Sequence, residues 1–141
     1  MSSYPPPPVY PAGGGLPGGV PSSEDRTWAG AAHWGAIVCA FVALAFLAPL
    51  AVLVLRGGQS PFVRRHAVNG LNFHLSMLIY SVVGGVVAVL VAIVTFGLGI
   101  LLIIPLAIAV GVFWLVVTII AAVKASNGQE YRYPLAIPMV H

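Results

Sequence analysis

Residues 60–90 read SPFVRRHAVNGLNFHLSMLIYSVVGGVVAVL. The stretch opens on helix-start chemistry: the Ser60 hydroxyl can cap a first-turn amide, and Pro61 suits the first helical position, where its missing N–H has no partner to lose. Arg64, Arg65, His66, Asn69, Asn72, His74 and Ser76 crowd the first half, and beyond them the residues turn almost wholly apolar. No Asp, Glu, Lys or Arg occurs from His66 to Val123, a run well beyond the roughly 20 apolar residues that cross a bilayer. A helix that is polar on one side at its start and apolar later belongs at a membrane boundary. Its first turns lie at or near the surface, and the rest enters hydrocarbon.

The one break in the apolar run is TFGLG at 95–99, which divides it into helices expected over 61–95 and about 100–124. Asn127-Gly128 stops the second of these, glycine being suited to the residue after a helix end. Upstream, Ser22, Ser23, Glu24 and Asp25 combine capping hydroxyls with acids that complement the helix dipole. The uncharged stretch from Thr27 to Leu55 then predicts a helix over 24–55, kinked at Pro49. Charged residues are 6% of the 141, against about a quarter in soluble proteins, too few to build a water-soluble surface. The expected fold is all-α: a polytopic membrane helical bundle with three transmembrane helices, or four if the chain folds back near Pro49 or Pro61.

Residues 1–23 hold seven prolines, five glycines and no charge, a composition expected to stay disordered as a partly polyproline-II tail ahead of one helical membrane domain over 24–141. With no basic segment ahead of the first apolar run, a removable signal peptide is not expected. Cys39 is the single cysteine and can form no internal disulfide. The net charge of +3 rests on six basic residues flanking the apolar segments, which points to membrane lipids as partners and away from nucleic acid. Trp28, Arg56, Arg64, Lys124, Tyr131, Arg132 and Tyr133 are the expected headgroup anchors. Arg56, Arg64 and Arg65 in the first loop, with Lys124 and Arg132 after the last helix, favour a cytoplasmic C-terminus and, with three spans, an N-terminal tail outside.

At 100° per residue, Arg65, Asn69, Asn72, Ser76 and Tyr80 fall within an arc of about 80°. Such a stripe entering a membrane needs partners, because an unpaired amide in hydrocarbon costs several kcal/mol. It can join the helices of the bundle, face a substrate or partner protein along a hydrated groove, or place Arg64 and Arg65 at lipid phosphates. His33 and His66 are candidates to pair across the bundle. Ala31, Gly35, Cys39 and Ala43 on the first helix, Gly84 and Ala88 on the second, and Ala107 and Gly111 on the third offer small faces for close helix contact. No span carries a carboxylate, no nucleophile and base share a helix face, and the histidines and Cys39 lack metal-ligand spacing. Neither an enzyme, a metal site nor a cofactor is expected.

The segments EDRTWAGAAHWGAI, SPFVRRHAVNGLNFHLSMLIYS and KASNGQEYRYPLAI together resemble the Tic-twenty-like family of small bacterial membrane proteins, over about residues 24–138. The resemblance is firmest at His66, Asn72, Phe73 and Ser76. It implies a bacterial plasma-membrane location and, through the chloroplast import subunit that gives the family its name, a part in protein insertion or translocation with partner subunits. The leading expectation is therefore a non-enzymatic assembly or translocation-associated subunit that uses the stripe as its contact surface. A small homo-oligomeric transporter or pore lined by the same stripe, and a lipid-binding structural protein, are the rivals.

Overall fold

The computed structural model describes residues 19–40 and 44–141, so the expected disorder of the first residues and the packing of Ala43 fall outside it. The described chain forms four helices, α1 (Ser23–Ala40), α2 (Leu47–Arg56), α3 (Pro61–Val94) and α4 (Ile100–Ser126), with no strand among the described residues. Local signals account for most of the boundaries. Ser22 and Asp25 form a reciprocal capping box, each backbone N–H reaching the other's side-chain oxygen at 3.1 Å. Ser60 caps α3 by accepting from the Val63 amide at 3.5 Å, with Pro61 in the first turn. The turn over 95–99 is held by Thr95, whose hydroxyl donates to the Val91 carbonyl (2.7 Å) and accepts from the Gly99 amide (2.8 Å).

The expected single helix over 24–55 is two helices. It ends at Ala40 and resumes at Leu47, and α2 folds back against α1. Pro49 explains the restart: in the first turn of α2 its missing N–H costs no bond, whereas in mid-helix it would break one and crowd the preceding turn. Gly35 allows the return, since a Cβ there would stand 2.8 Å from Ala48 Cβ. Among the described residues two helices, α3 and α4, are long and apolar enough to cross a membrane, against the three spans expected. The ten residues of α2 cover about 15 Å, half a hydrocarbon core.

Helix α1 packs on each of the other three, while α3 and α4 touch one another little. The core is confined to one end. There Ala32, Val52, Val63 and Ala67 form one cluster, Ala29, Phe62 and Ala125 a second, and Phe73, Val117, Ala121 and Tyr133 a third. Charge gathers at the same end: Glu24 pairs with Arg56 at 2.8 Å, Arg65 pairs with Glu130 at 2.7 Å, and Lys124 lies over the Tyr131 ring. Beyond it α3 and α4 continue as an apolar hairpin whose large side chains, from Leu78 to Val116, are broadly exposed. Gly30 of α1 faces Ser126 of α4, and Gly128 faces the Arg26 side chain. The start of α1 and the end of α4 thus lie together at the charged end of the structure.

Candidate functional site

The residues of the polar stripe recur every three or four positions along α3 and so share one face. That face is filled by the chain's own C-terminal segment. Gly128, at φ 73°, turns the chain back from α4. Outward along α3, Arg65 binds the Glu130 carboxylate at 2.7 and 2.9 Å, Asn69 Nδ2 donates to the Tyr131 carbonyl at 3.1 Å, and the Tyr80 hydroxyl donates to the Leu135 carbonyl at 3.1 Å. At Pro134-Leu135 the segment reverses, Leu135 taking a φ of 61°. On the way back the Ile137 amide donates to Ser76 Oγ at 2.8 Å, and Asn72 Oδ1 accepts from the Met139 and Val140 amides at 3.1 and 2.7 Å. Asn72 Nδ2 donates to the Val140 carbonyl at 2.9 Å, and Arg64 to the His141 main-chain oxygen at 2.9 Å. The segment is a U-shaped clasp that leaves the base of α3, reaches Tyr80 and returns.

Beneath the clasp runs a buried hydrogen-bonded chain. His66 Nε2 lies 3.1 Å from the Gln129 carbonyl, His66 Nδ1 lies 3.0 Å from His33 Nε2, and His33 Nδ1 lies 3.0 Å from the Tyr133 hydroxyl. A carbonyl only accepts, so with neutral rings the polarity of the whole chain follows. His66 donates from Nε2, His33 donates from Nε2 to His66 Nδ1, and Tyr133 donates to His33 Nδ1. Burial pushes the Tyr133 hydroxyl above its ordinary range, which keeps the proton it must donate. The Tyr133 ring stacks on Phe73 with centroids 4.1 Å apart and planes 10° apart. Gly70 leaves the room for His33, since a Cβ there would stand 3.3 Å from that ring.

The arrangement ties α1, α3 and the clasp together without net charge in the interior. Most of the stripe's bonds go to backbone groups, each worth about 1 kcal/mol net. Removing one partner costs more, because its mate stays buried and unpaired. His74 stands apart from the stripe: its Nδ1 accepts from Trp114 Nε1 of α4 at 3.1 Å, and its Nε2 is a buried polar atom with no partner among the described residues.

The sequence-derived residues are placed as follows. His33 and His66 meet each other, and the stripe meets the clasp. Tyr133, expected as a headgroup anchor, is instead 7% exposed, because its ring covers Phe73 and its hydroxyl serves His33. Tyr131 is half-buried under Lys124, and Trp28 lies against the Arg56 guanidinium at 4.7 Å. Ala31 packs beside the cluster around Ala32, and Cys39 is half-buried near the end of α1. A Cβ on Gly84 or Gly111 would meet nothing within 4 Å, and Ala107 is exposed. The clasp backbone is what sequence reasoning missed. Its one signal is the pair Pro134 and Pro138, which bars a helix after Gly128.

Fold and site together define a small helical membrane protein with one apolar hairpin, whose polar groove is closed by its own C-terminal clasp. Over residues 24–140, from the start of α1 to the end of the clasp, the chain matches the model of the MamF/MmsF magnetosome magnetite crystal formation protein family. The chain belongs to that family. The match overturns the Tic-twenty-like resemblance and, with it, the translocation role inferred from that resemblance. Comparison with curated proteins and with solved structures found no match.

Proposed function

We propose that the chain serves magnetosome crystal formation as a non-enzymatic membrane scaffold, planted by the α3–α4 hairpin and assembled laterally with further copies or other membrane subunits. The observation that carries this reading is the bare hairpin: from Leu78 to Val116 most of its large apolar side chains lack cover from the rest of the described chain. Gly84, Ala88, Ala107 and Gly111 would then serve close contact between neighbouring chains, where small residues let helix backbones approach. The charged end would face the cytoplasm, the side that favours basic loops.

The acids support an organising role over an ion-collecting one. The chain has three Asp and Glu residues. Glu24 is engaged by Arg56, Glu130 by Arg65, and Asp25 by the Ser22 amide. A surface that gathers hard cations relies on several carboxylates free to converge. The pore reading draws less support, because the stripe that would line its path is bonded to the clasp.

The test is site-specific photo-crosslinking in magnetosome membranes, with the probe at Leu90 and at Ile108 and with Asn72 for comparison. Discrete protein adducts at the hairpin positions are expected, whether self-adducts or adducts to another membrane subunit. At Asn72 the probe should find only the chain's own clasp. Lipid adducts alone at both hairpin positions, or a foreign protein at Asn72 alone, would overturn the proposal.

A further inference from the structure

The first turns of α3 and the clasp enclose an open cleft of about 590 Å³, to which Arg64 and Arg65 contribute from the helix and Glu130 and Arg132 from the clasp. Its charges do not balance. Arg65 is engaged by Glu130 at 2.7 Å, Arg64 reaches the His141 main-chain oxygen at 2.9 Å, and Arg132 has no ion-pair or hydrogen-bond partner among the described residues. Three guanidinium groups face one carboxylate, and even a terminal carboxylate at His141 would leave positive charge in surplus. Because Arg64 belongs to α3 and Arg132 to the clasp, their repulsion acts across the closure and opposes it.

An anion seated between them would turn that repulsion into charge-assisted hydrogen bonds to both sides, and guanidinium groups suit the oxygens of a phosphate. The cleft lies at the charged end of the molecule, beside the base of a helix long enough to cross a membrane. We propose that this cleft binds the phosphodiester of a lipid with a net-negative headgroup, and that the bound lipid locks the C-terminal clasp shut. This goes beyond a scaffold role: the lipid composition of the membrane sets how firmly the polar stripe of α3 is covered.

The test uses the full chain in nanodiscs of phosphatidylcholine, with or without phosphatidylglycerol, and follows hydrogen exchange over residues 136–141. The Ile137, Met139 and Val140 amides in that stretch report the closed clasp through their bonds to Ser76 and Asn72. Phosphatidylglycerol should slow their exchange about tenfold, the equivalent of about 1.4 kcal/mol. Arg132→Gln should abolish that response without speeding exchange in phosphatidylcholine alone, since it also removes the repulsion. Arg132→Lys, which keeps the charge, should preserve part of the response, and Arg56→Gln, the same charge change outside the cleft, should preserve all of it.

No slowing by phosphatidylglycerol in the unaltered chain, or slowing that survives Arg132→Gln, would overturn the proposal. Equal loss in Arg56→Gln would assign the effect to general surface potential and overturn it as well. Inorganic phosphate that slows exchange to the same extent in phosphatidylcholine nanodiscs would assign the cleft to a free anion and overturn the lipid assignment.

Discussion

The two halves of α3 are one continuous helix and two kinds of surface. Between Phe62 and Ser76 the side chains are largely buried or bonded: Phe73 lies under Tyr133, His66 touches His33, and Asn72 holds the clasp. From Leu78 to Val94 no residue is buried. The difference lies in the solvent each half meets. The basal half is largely surrounded by protein, so most of its buried polar groups must find a mate there, His74 Nε2 being the exception among the described residues. The distal half has only to match hydrocarbon. There lipid serves a valine as well as a neighbouring side chain does, and little drives two helices together. Tight packing and hydrogen bonding therefore belong to the end of the molecule that carries the charges.

The sharpest way to break this comparison is a pair of phenylalanines. Phe73 is fully buried in the stack with Tyr133, and Phe96, at the tip of the hairpin, is 96% exposed. Phe73→Ala should cost about 3–5 kcal/mol, the range for emptying a buried aromatic site. Phe96→Ala should change stability by less than about 0.5 kcal/mol. Thermal unfolding in one detergent compares them directly. Equal losses would mean that the hairpin tip is packed as firmly as the base.

A second pair tests the same contrast through glycine. A methyl group at Gly35 would meet Ala48 Cβ at 2.8 Å, an atom that cannot swing aside, whereas one at Gly84 meets nothing within 4 Å. Gly35→Ala should therefore destabilise by about 1–3 kcal/mol through forced separation of α1 and α2. Gly84→Ala in the isolated chain should stabilise by up to about 1 kcal/mol through helix propensity alone. The same variant in native membranes also bears on the scaffold: loss of self-adducts from a probe at Leu90 would place Gly84 in the contact between chains.

What the sequence disclosed about this molecule followed from how local each cause was. Ser60-Pro61, the turn over 95–99 and Asn127-Gly128 act within a few residues, and each marks its boundary in the chain alone. The fold-back between α1 and α2 depends on Gly35 meeting Ala48, a contact across two helices, so the apolar run alone offers it only as the alternative to a kink at Pro49. The stripe was legible because helical period places Asn69, Asn72 and Ser76 on one face. Its occupant was not, since these side chains bind mostly backbone groups and backbone groups leave no pattern in a sequence. Tyr133 shows the same limit from the other side. A tyrosine near a membrane end carries the same letter at the headgroups as under a clasp, and only the placement of Phe73 and His33 decides between them.

The smallest expected effect sharpens where the basal half ends. Arg65 and Asn69 belong to the same stripe, but Arg65 reaches a carboxylate in the open: the Arg65 and Glu130 side chains are 56% and 52% exposed. If water reaches that pair, screening and the entropy of two long side chains leave about 0–1 kcal/mol, and Arg65→Gln should cost no more, with the difference shrinking further at high salt. Asn69 is half-buried against the Tyr131 carbonyl, so Asn69→Leu should cost at least as much and show little dependence on salt. A salt-independent loss of more than about 2 kcal/mol for Arg65→Gln would mean that the pair is shielded from water. The membrane surface would then lie nearer the first turn of α3, and the cleft beside it would sit among the lipid headgroups themselves.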